Sequence, residues 1–316
     1  MTTVTGGLAR ARRGVSPGGH GARRRPSTLK SQTRRTYLGM LIPSVVLLVL
    51  INGYPLVYAA VQATHNGSLI QAGDFVGLDN FTTVLTSAAF WRAARFTLIF
   101  TLVGVFGSWA IGLALALLLR TNIPGRGLFK VLLLLPWVVP IVVSSTAWNW
   151  LVATADSPVP RLFEALGFAR PLFLADPVLA GVLVCVFKVW ISFPFMMMMA
   201  AGALASVDDT LYEAASIDGA SRSQQFVQIT LPLIARPTYI SWILMTVFCV
   251  NDFPTIYLLT TGGPVDATTS LVVFAYRTVF QDFQTGPGVA VAFLMTVTLV
   301  FVSVTLYRQI RRAHVE

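Results

Sequence analysis

Two charged side chains lie inside long apolar runs of this sequence, and they are its best candidates for ligand chemistry. Lys188 lies about ten residues inside the run 178–201, and Asp252 lies within the run 239–260. An unpaired charge at the centre of a bilayer costs on the order of 2.5–3.5 kcal/mol, so each needs an opposite charge or a wet cavity. Lysine donates hydrogen bonds and aspartate accepts them, which is the chemistry that holds a polar solute.

Residues at helical spacing from each charge share its helical face. The two faces comprise Lys188, Ser192 and Phe195 on one run and Phe248, Cys249 and Asp252 on the other. In one interpretation the faces oppose each other across a solute path, since aromatic rings and fixed polar groups suit a polar solute. In the other, the two charges form a structural ion pair between their helices. Asn251 and Trp190 point elsewhere on the same helices and are weaker candidates.

Residue sets for catalysis are missing from the apolar runs. The three histidines, His20, His65 and His314, lie outside the runs, and the sequence contains no Gly-x-x-x-x-Gly-Lys-Ser/Thr phosphate-binding loop. Cys185 and Cys249 fall inside apolar runs, where cysteine is typically a small packing residue. We therefore predict no enzymatic activity, no metal site and no cofactor, and we expect any ATP to be bound by a separate subunit.

Positioning the two charges requires segments that cross a membrane. Of the 316 residues, 55% are apolar and 11% charged, whereas a soluble domain carries about 25% charged residues. A helix needs roughly 20 apolar residues to cross a bilayer. Six runs are long enough: 37–63, 96–119, 128–151, 178–201, 239–260 and 289–307. Continuous runs indicate helices rather than barrel strands, so we predict an all-α, polytopic fold with six transmembrane helices.

Small residues and prolines add detail to the second and third runs. Gly104, Ser108 and Gly112 recur at four-residue spacing, which predicts a surface where another helix packs closely. Pro136 and Pro140 lie in the third run and predict a bend there, since proline removes a backbone donor.

Basic residues are concentrated at both ends of the chain and after the second run. The segment before residue 37 is rich in Arg, and further groups occur at 120–130 and 308–312. By the positive-inside rule, both termini are predicted to be cytoplasmic. This topology also explains the net charge of +10, so we expect no nucleic-acid partner. The first 36 residues, rich in Arg, Gly, Pro and Ser, are predicted to form a disordered cytoplasmic tail before the membrane domain 37–312.

The connection 202–237 is long for an inner loop and is predicted to contain two short helices. Gly219, after Asp218, predicts a stop between them, and the segment 229–232 is predicted to end the second. Two capping boxes predict where the helices begin: Ser206 with Asp209, and Ser221 with Gln224. From the residues alone, the apolar faces of this helix–turn–helix either pack on the membrane helices or dock a soluble partner.

Seven positions of this connection resemble the EAA signature of permease subunits in binding-protein-dependent ABC importers. They are Glu213, Ala214, Ala215, Gly219, Ile229, Leu231 and Pro232. The resemblance implies a type I ABC importer transmembrane fold. It also implies that the first four residues form a coupling helix that inserts into an ATPase subunit, and that the last three fix the return to the membrane.

Two further regions resemble the sugar-permease branch of that family. Ile-Pro-Gly-Arg-Gly at 123–127 leads into Leu-Pro-Trp-Val-Val-Pro at 135–140, and residues 257–264 are similar to a stretch of maltose- and glycerol-phosphate-type first permeases. The resemblance implies sugar import across the bacterial plasma membrane, in contact with lipid. The implied partners are a second permease, two ATP-binding-cassette ATPase subunits and an extracytoplasmic binding protein. The alternative is an ion-coupled secondary transporter of a small polar solute.

Overall fold

The computed structural model describes residues 28–68, 71, 73–121 and 124–312. The chain divides into two units, Met1–Leu56 and Val57–Glu316. Within the described ranges the secondary structure is helical, apart from turns and an isolated bridge between His65 and Phe75. The predicted all-α class is confirmed.

The helices follow one another with short connections. Their bounds are α1 (Thr28–Ala63), α2 (Asp79–Thr86), α3 (Ala88–Leu118), α4 (Arg126–Val138), α5 (Ile141–Val152), α6 (Pro158–Ala165), α7 (Pro177–Ala205), α8 (Asp209–Ile217), α9 (Arg222–Gln225), α10 (Leu231–Val250), α11 (Phe253–Thr260), α12 (Leu271–Phe280) and α13 (Thr285–Arg312). A π-helical turn, Phe226–Thr230, joins α9 to α10 without a break. In the described part of the chain, five helical segments are long and apolar enough to cross a membrane, namely those of α1, α3, α7, α10 and α13.

The third apolar run is broken rather than gently bent. α4 and α5 meet at 91°, and together they make the sixth span when the pair is counted as one. Pro140 has no backbone donor, and Val139 before it is extended, with a ψ of 131°. The residue before a proline is disfavoured in the helical region, so the chain leaves the helix there. The prediction located the disturbance correctly and underestimated it.

The fifth apolar run is also two helices, which corrects the predicted continuous segment 239–260. α10 ends at Val250, and α11 begins at Phe253. The Asp252 carboxylate accepts the backbone N–H of Thr255 at 3.0 Å, and Pro254 lies in the first turn of α11. An acidic N-cap followed by proline is a helix start signal, and here it overrides the apolar periodicity.

The predicted boundary between tail and membrane domain also needs correction. α1 begins at Thr28, so residues 28–36 are helical rather than part of a disordered tail. This stretch contains neither glycine nor proline, and it follows Pro26, after which a helix can start. The remaining part of the predicted tail, 1–27, lies outside the described residues.

α3 and α7 approach each other closely along small residues of α3. A Cβ added at Gly112 would lie 2.6 Å from the backbone nitrogen of Met197 and 2.8 Å from the carbonyl carbon of Met196. Ser108, one turn earlier, is fully buried, and its hydroxyl donates to the carbonyl of Gly104. The close packing predicted from the four-residue spacing is confirmed.

We expect Gly112→Leu to destabilise the protein, because the added side chain meets backbone atoms of α7 that cannot rotate away. Overpacking of this kind costs about 1–3 kcal/mol. The thermal unfolding midpoint of the purified protein in detergent measures the loss. Gly202→Ala, in α7, is the matched control, since a Cβ there meets nothing within 4 Å. Equal midpoints for Gly112→Leu and wild type would contradict the close α3–α7 contact.

Candidate functional site

The two intramembrane charges form a buried ion pair. Lys188 Nζ donates to Asp252 Oδ2 at 2.6 Å, and their side chains are 7% and 6% exposed. The Thr255 hydroxyl donates to the same oxygen at 2.7 Å, while its backbone N–H donates to the other. Asp252 is therefore held from two directions, by α7 and by the first turn of α11.

A cleft of about 540 Å³ opens beside this pair, where both helix breaks meet. Its lining comes from the α4–α5 break, the centre of α7, the end of α10 and the start of α11. The lining residues are Trp137, Val138, Val139, Pro140, Ile141, Lys188, Ile191, Ser192, Met245, Phe248, Asn251, Asp252, Pro254 and Thr255. Non-helical backbone at membrane depth is tolerated where it lines a cavity, and broken helices of this kind form solute sites in transporters.

Four of the six residues predicted for the solute path line this cleft: Lys188, Ser192, Phe248 and Asp252. Phe195 does not line it but packs behind it. Its ring stacks on Trp137 at 5.3 Å between centroids and meets Phe248 edge-on at 5.8 Å. Cys249 is 1% exposed and faces α3 instead, where a Cβ on Gly104 would lie 2.8 Å from its sulfur.

Three polar or aromatic residues of the cleft were missed or undervalued by the sequence analysis. Trp137 belongs to α4, and Thr255 belongs to α11, whose start was not predicted. Asn251 is exposed and lines the cleft, although it was assigned to another face of its helix. The run Asn-Asp-Phe-Pro at 251–254 carried the signal, because an N-cap and a proline end one helix and start another. Trp190 does point away, towards Trp148 and Phe187.

The hydrogen-bonding capacity of the pair is unevenly used. Asp252 accepts three hydrogen bonds from described residues, whereas Lys188 donates one of the three that an ammonium group can donate. Lys188 lines the cleft together with the exposed Asn251, whose amide also donates to the Val247 carbonyl, and with the ring of Phe248. The cleft can therefore offer donors and an aromatic face to a ligand rich in hydroxyl oxygens.

The second candidate site is the connection between α7 and α10. α8 begins after Asp208, whose side chain accepts the backbone N–H of Thr210 at 3.0 Å. The same N–H lowers the pKa of Asp208 below its ordinary value. The capping box predicted for Ser206 and Asp209 is wrong, because the Ser206 hydroxyl donates back to the Ala203 carbonyl at the end of α7.

The other predicted features of the turn are confirmed. Ser221 and Gln224 form the reciprocal capping box of α9. Gly219 has a φ of +80°, and the N–H of Ala220 donates to the Ala215 carbonyl at 2.9 Å. This is the Schellman arrangement, which places a glycine in the left-handed conformation after a helix.

Arg120, just after α3, ties α8 to the membrane helices. It forms an ion pair with Asp209, and its guanidinium lies 4.9 Å from the centre of the Tyr212 ring. The neighbouring Tyr212, and then the charge of Asp209, raise the pKa of Arg120 above its ordinary value. Tyr212 Oη also lies 3.0 Å from Thr230 Oγ1 in the π-helical turn. One side chain of α8 thus contacts both α3 and the start of α10.

The segment 229–232 does not end a helix, which corrects the prediction. Ile229 lies in the π-helical turn, and Leu231 and Pro232 open α10. The N–H of Leu231 donates to the Phe226 carbonyl, five residues back. This wider turn lets the helix continue past Pro232, which has no backbone N–H to donate. As a result, the helix is continuous from the start of α9 to Val250.

One surface of α8 is open to solvent in the part of the chain that the structure describes. Glu213, Ala214 and Gly219 are exposed, Ala215 is half-buried, and Ile217 is 86% exposed.

Comparison with known proteins places the chain in a family. Residues 107–314 match the binding-protein-dependent transport system inner membrane component family. A probable ABC transporter permease protein of Sinorhizobium fredii is 35% identical over 285 residues, 89% of this chain and 92% of that protein. The trehalose/maltose transport system permease protein of Thermococcus litoralis is 30% identical over 289 residues, 89% and 98% of the two chains.

A solved structure shares the fold. A chain in the crystal structure of a bacterial ABC transporter involved in the import of the acidic polysaccharide alginate superimposes with a TM-score of 0.75 and 22% identity, covering 90% of this chain and 98% of that chain. The predicted type I ABC importer fold is confirmed, and the family consists of transport permeases rather than enzymes. The chain therefore belongs to the binding-protein-dependent transport system inner membrane component family, as a multi-pass permease subunit of an ABC importer.

Proposed function

We propose that this permease carries a sugar or sugar derivative into the bacterial cell, with both of its termini in the cytoplasm. An extracytoplasmic binding protein delivers the solute, a second permease completes the pathway, and two separate ATPase subunits bind ATP. The cleft at the two helix breaks carries the proposal, because it combines donors and an aromatic ring at membrane depth. The relative from Thermococcus litoralis, named for trehalose and maltose, supports the class of solute.

Coupling to the ATPase follows from the contacts of α8. In this proposal Glu213, Ala214, Ala215 and Gly219 face the ATPase, while Ile229, Leu231 and Pro232 hold the root of α10. A displacement of α8 passes through Arg120 to α3 and through Thr230 to α10.

α3 and α10 both contact residues at the cleft. α3 carries Gly104, against which Cys249 and Lys188 pack, and α10 ends next to Asp252. Movement of α8 therefore changes the walls of the cleft without direct contact between ATPase and solute. This arrangement suits alternating access, in which the cleft opens to one side of the membrane at a time.

We expect a cysteine at Gly219 to react with an impermeant thiol reagent only from the cytoplasmic side, and a cysteine at Gly263 only from outside. The physical reason is the excess of Arg and Lys on the segments assigned to the cytoplasm. Labelling of intact cells and of inverted vesicles measures the sidedness, in a chain whose Cys185 and Cys249 are replaced by alanine. Labelling of both positions from one side would contradict the orientation.

We expect Gly219→Asp to abolish coupling while leaving insertion into the membrane intact. At a φ of +80° a side chain is disfavoured by about 1–2 kcal/mol, and the charge is added to the proposed ATPase contact. Solute-stimulated ATP hydrolysis and uptake by the reconstituted complex measure the effect. Gly219→Asn is the matched control, because asparagine has the same shape, tolerates left-handed backbone and carries no charge. Wild-type uptake by Gly219→Asp would contradict the docking role.

The double substitution Lys188→Met with Asp252→Asn separates a structural pair from a solute site. Either single change leaves a buried charge unpaired and is expected to cost about 3–5 kcal/mol of stability. The double change should restore stability, yet weaken the apparent affinity for solute at least about tenfold, since donors to the ligand are lost. Unfolding midpoints and uptake kinetics measure both effects.

Cys249→Ala is the control for this experiment, because Cys249 adjoins the same helices without lining the cleft. It should leave the apparent affinity unchanged. A stable double variant that transports with wild-type affinity would show that the pair is only structural.

A further inference from the structure

A second cavity lies at the α8 end of the membrane helices, away from the solute cleft. It has a volume of about 440 Å³ and lies between the end of α3, the start of α4 and the end of α7. The segment of α7 that lines it, from Met197 to Ala205, is centred about 20 Å along the helix from Lys188, at 1.5 Å per residue. The proposed transport mechanism uses none of its open space.

Three cations line this cavity, and they are unequally paired. Arg120 is bound to Asp209 of α8. Arg126 and Lys130 have no carboxylate within ion-pair distance among the residues that the structure describes. Two cations without a carboxylate partner in the described part of the chain therefore line this cavity.

Apart from Asp209, which pairs with Arg120, the rest of the wall is apolar. It includes Leu134, one turn beyond Lys130 on α4, and Met198, Ala201 and Leu204 of α7. Both helices continue from this cavity into their membrane spans. The cavity therefore has a cationic end at the membrane surface and a hydrocarbon wall leading into the bilayer. A free phosphate would use only the first of these features.

We propose that this cavity binds the headgroup of an anionic phospholipid, with an acyl chain along the wall formed by α4 and α7. Arg126 and Lys130 bind the phosphate. Basic pockets between transmembrane helices on the cytoplasmic side have the chemistry that holds such headgroups. The inference rests on the proposed function in one respect, the assignment of this cavity to the cytoplasmic side of the membrane.

Native mass spectrometry of the full-length permease, purified with the subunits that bind it and stripped of lipid, tests the proposal. Titration with phosphatidylglycerol and with phosphatidylcholine should show one site that prefers the anionic lipid. Each of Arg126→Gln and Lys130→Gln should weaken that site about fivefold, or about 1 kcal/mol per cation. Arg236→Gln, which removes a basic residue of α10 outside the cavity, should leave the site unchanged.

Three results would overturn the proposal. Equal affinity for the two lipids would remove the role of the charges, and displacement of the lipid by an equal concentration of inorganic phosphate would identify a free-anion site. Arg126→Lys is the control for misfolding, because it keeps the positive charge and should keep most of the lipid binding. Loss of lipid in that folded variant, as complete as in Arg126→Gln, would also contradict the assignment. Sugar uptake is not measured, so a failure of the proposed transport activity would leave these results unaffected.

Discussion

The buried ion pair between Lys188 and Asp252 is the interaction on which the centre of the molecule depends. Neither charge can remain alone at membrane depth, so α7 must lie against the junction of α10 and α11. The carboxylate also caps α11, which means that the charge pair and the helix break stabilise each other. Because the break leaves backbone non-helical, it needs polar surroundings, and the cleft beside it supplies them.

In the connection after α7, one side chain likewise makes two structural contacts. Tyr212 reaches both Arg120 and Thr230, so a helix of nine residues is attached to two membrane helices at once. The π-helical turn then lets α9 run into α10 despite the proline. In the proposed coupling role, a continuous helix and a second contact to the segment after α3 attach α8 to the membrane helices at two points.

Much of this arrangement could be read from the residues, and the failures have a common cause. Apolar runs reveal where a chain crosses a bilayer, and Gly219 and the Ser221–Gln224 box are local signals that need no tertiary context. Hydropathy, however, averages over many residues and does not register a break of two, as at 139–140 and 251–252. Cys249 was assigned to the cleft because it is at helical spacing from Asp252. α10 ends at Val250, before Asp252, so that spacing does not apply, and Cys249 lies against α3.

The pairing of the central charges also bears on what the cleft can select. A lone lysine at this depth would create a strong positive field and favour an anionic solute. With Asp252 at 2.6 Å the field largely cancels, and what remains is a set of directed donors on Lys188 beside the amide of Asn251. Directed donors without net charge favour a neutral ligand with many oxygen acceptors over a small ion. Under the proposed function, the Phe248 ring supplies a flat apolar surface on which the C–H face of a sugar ring packs.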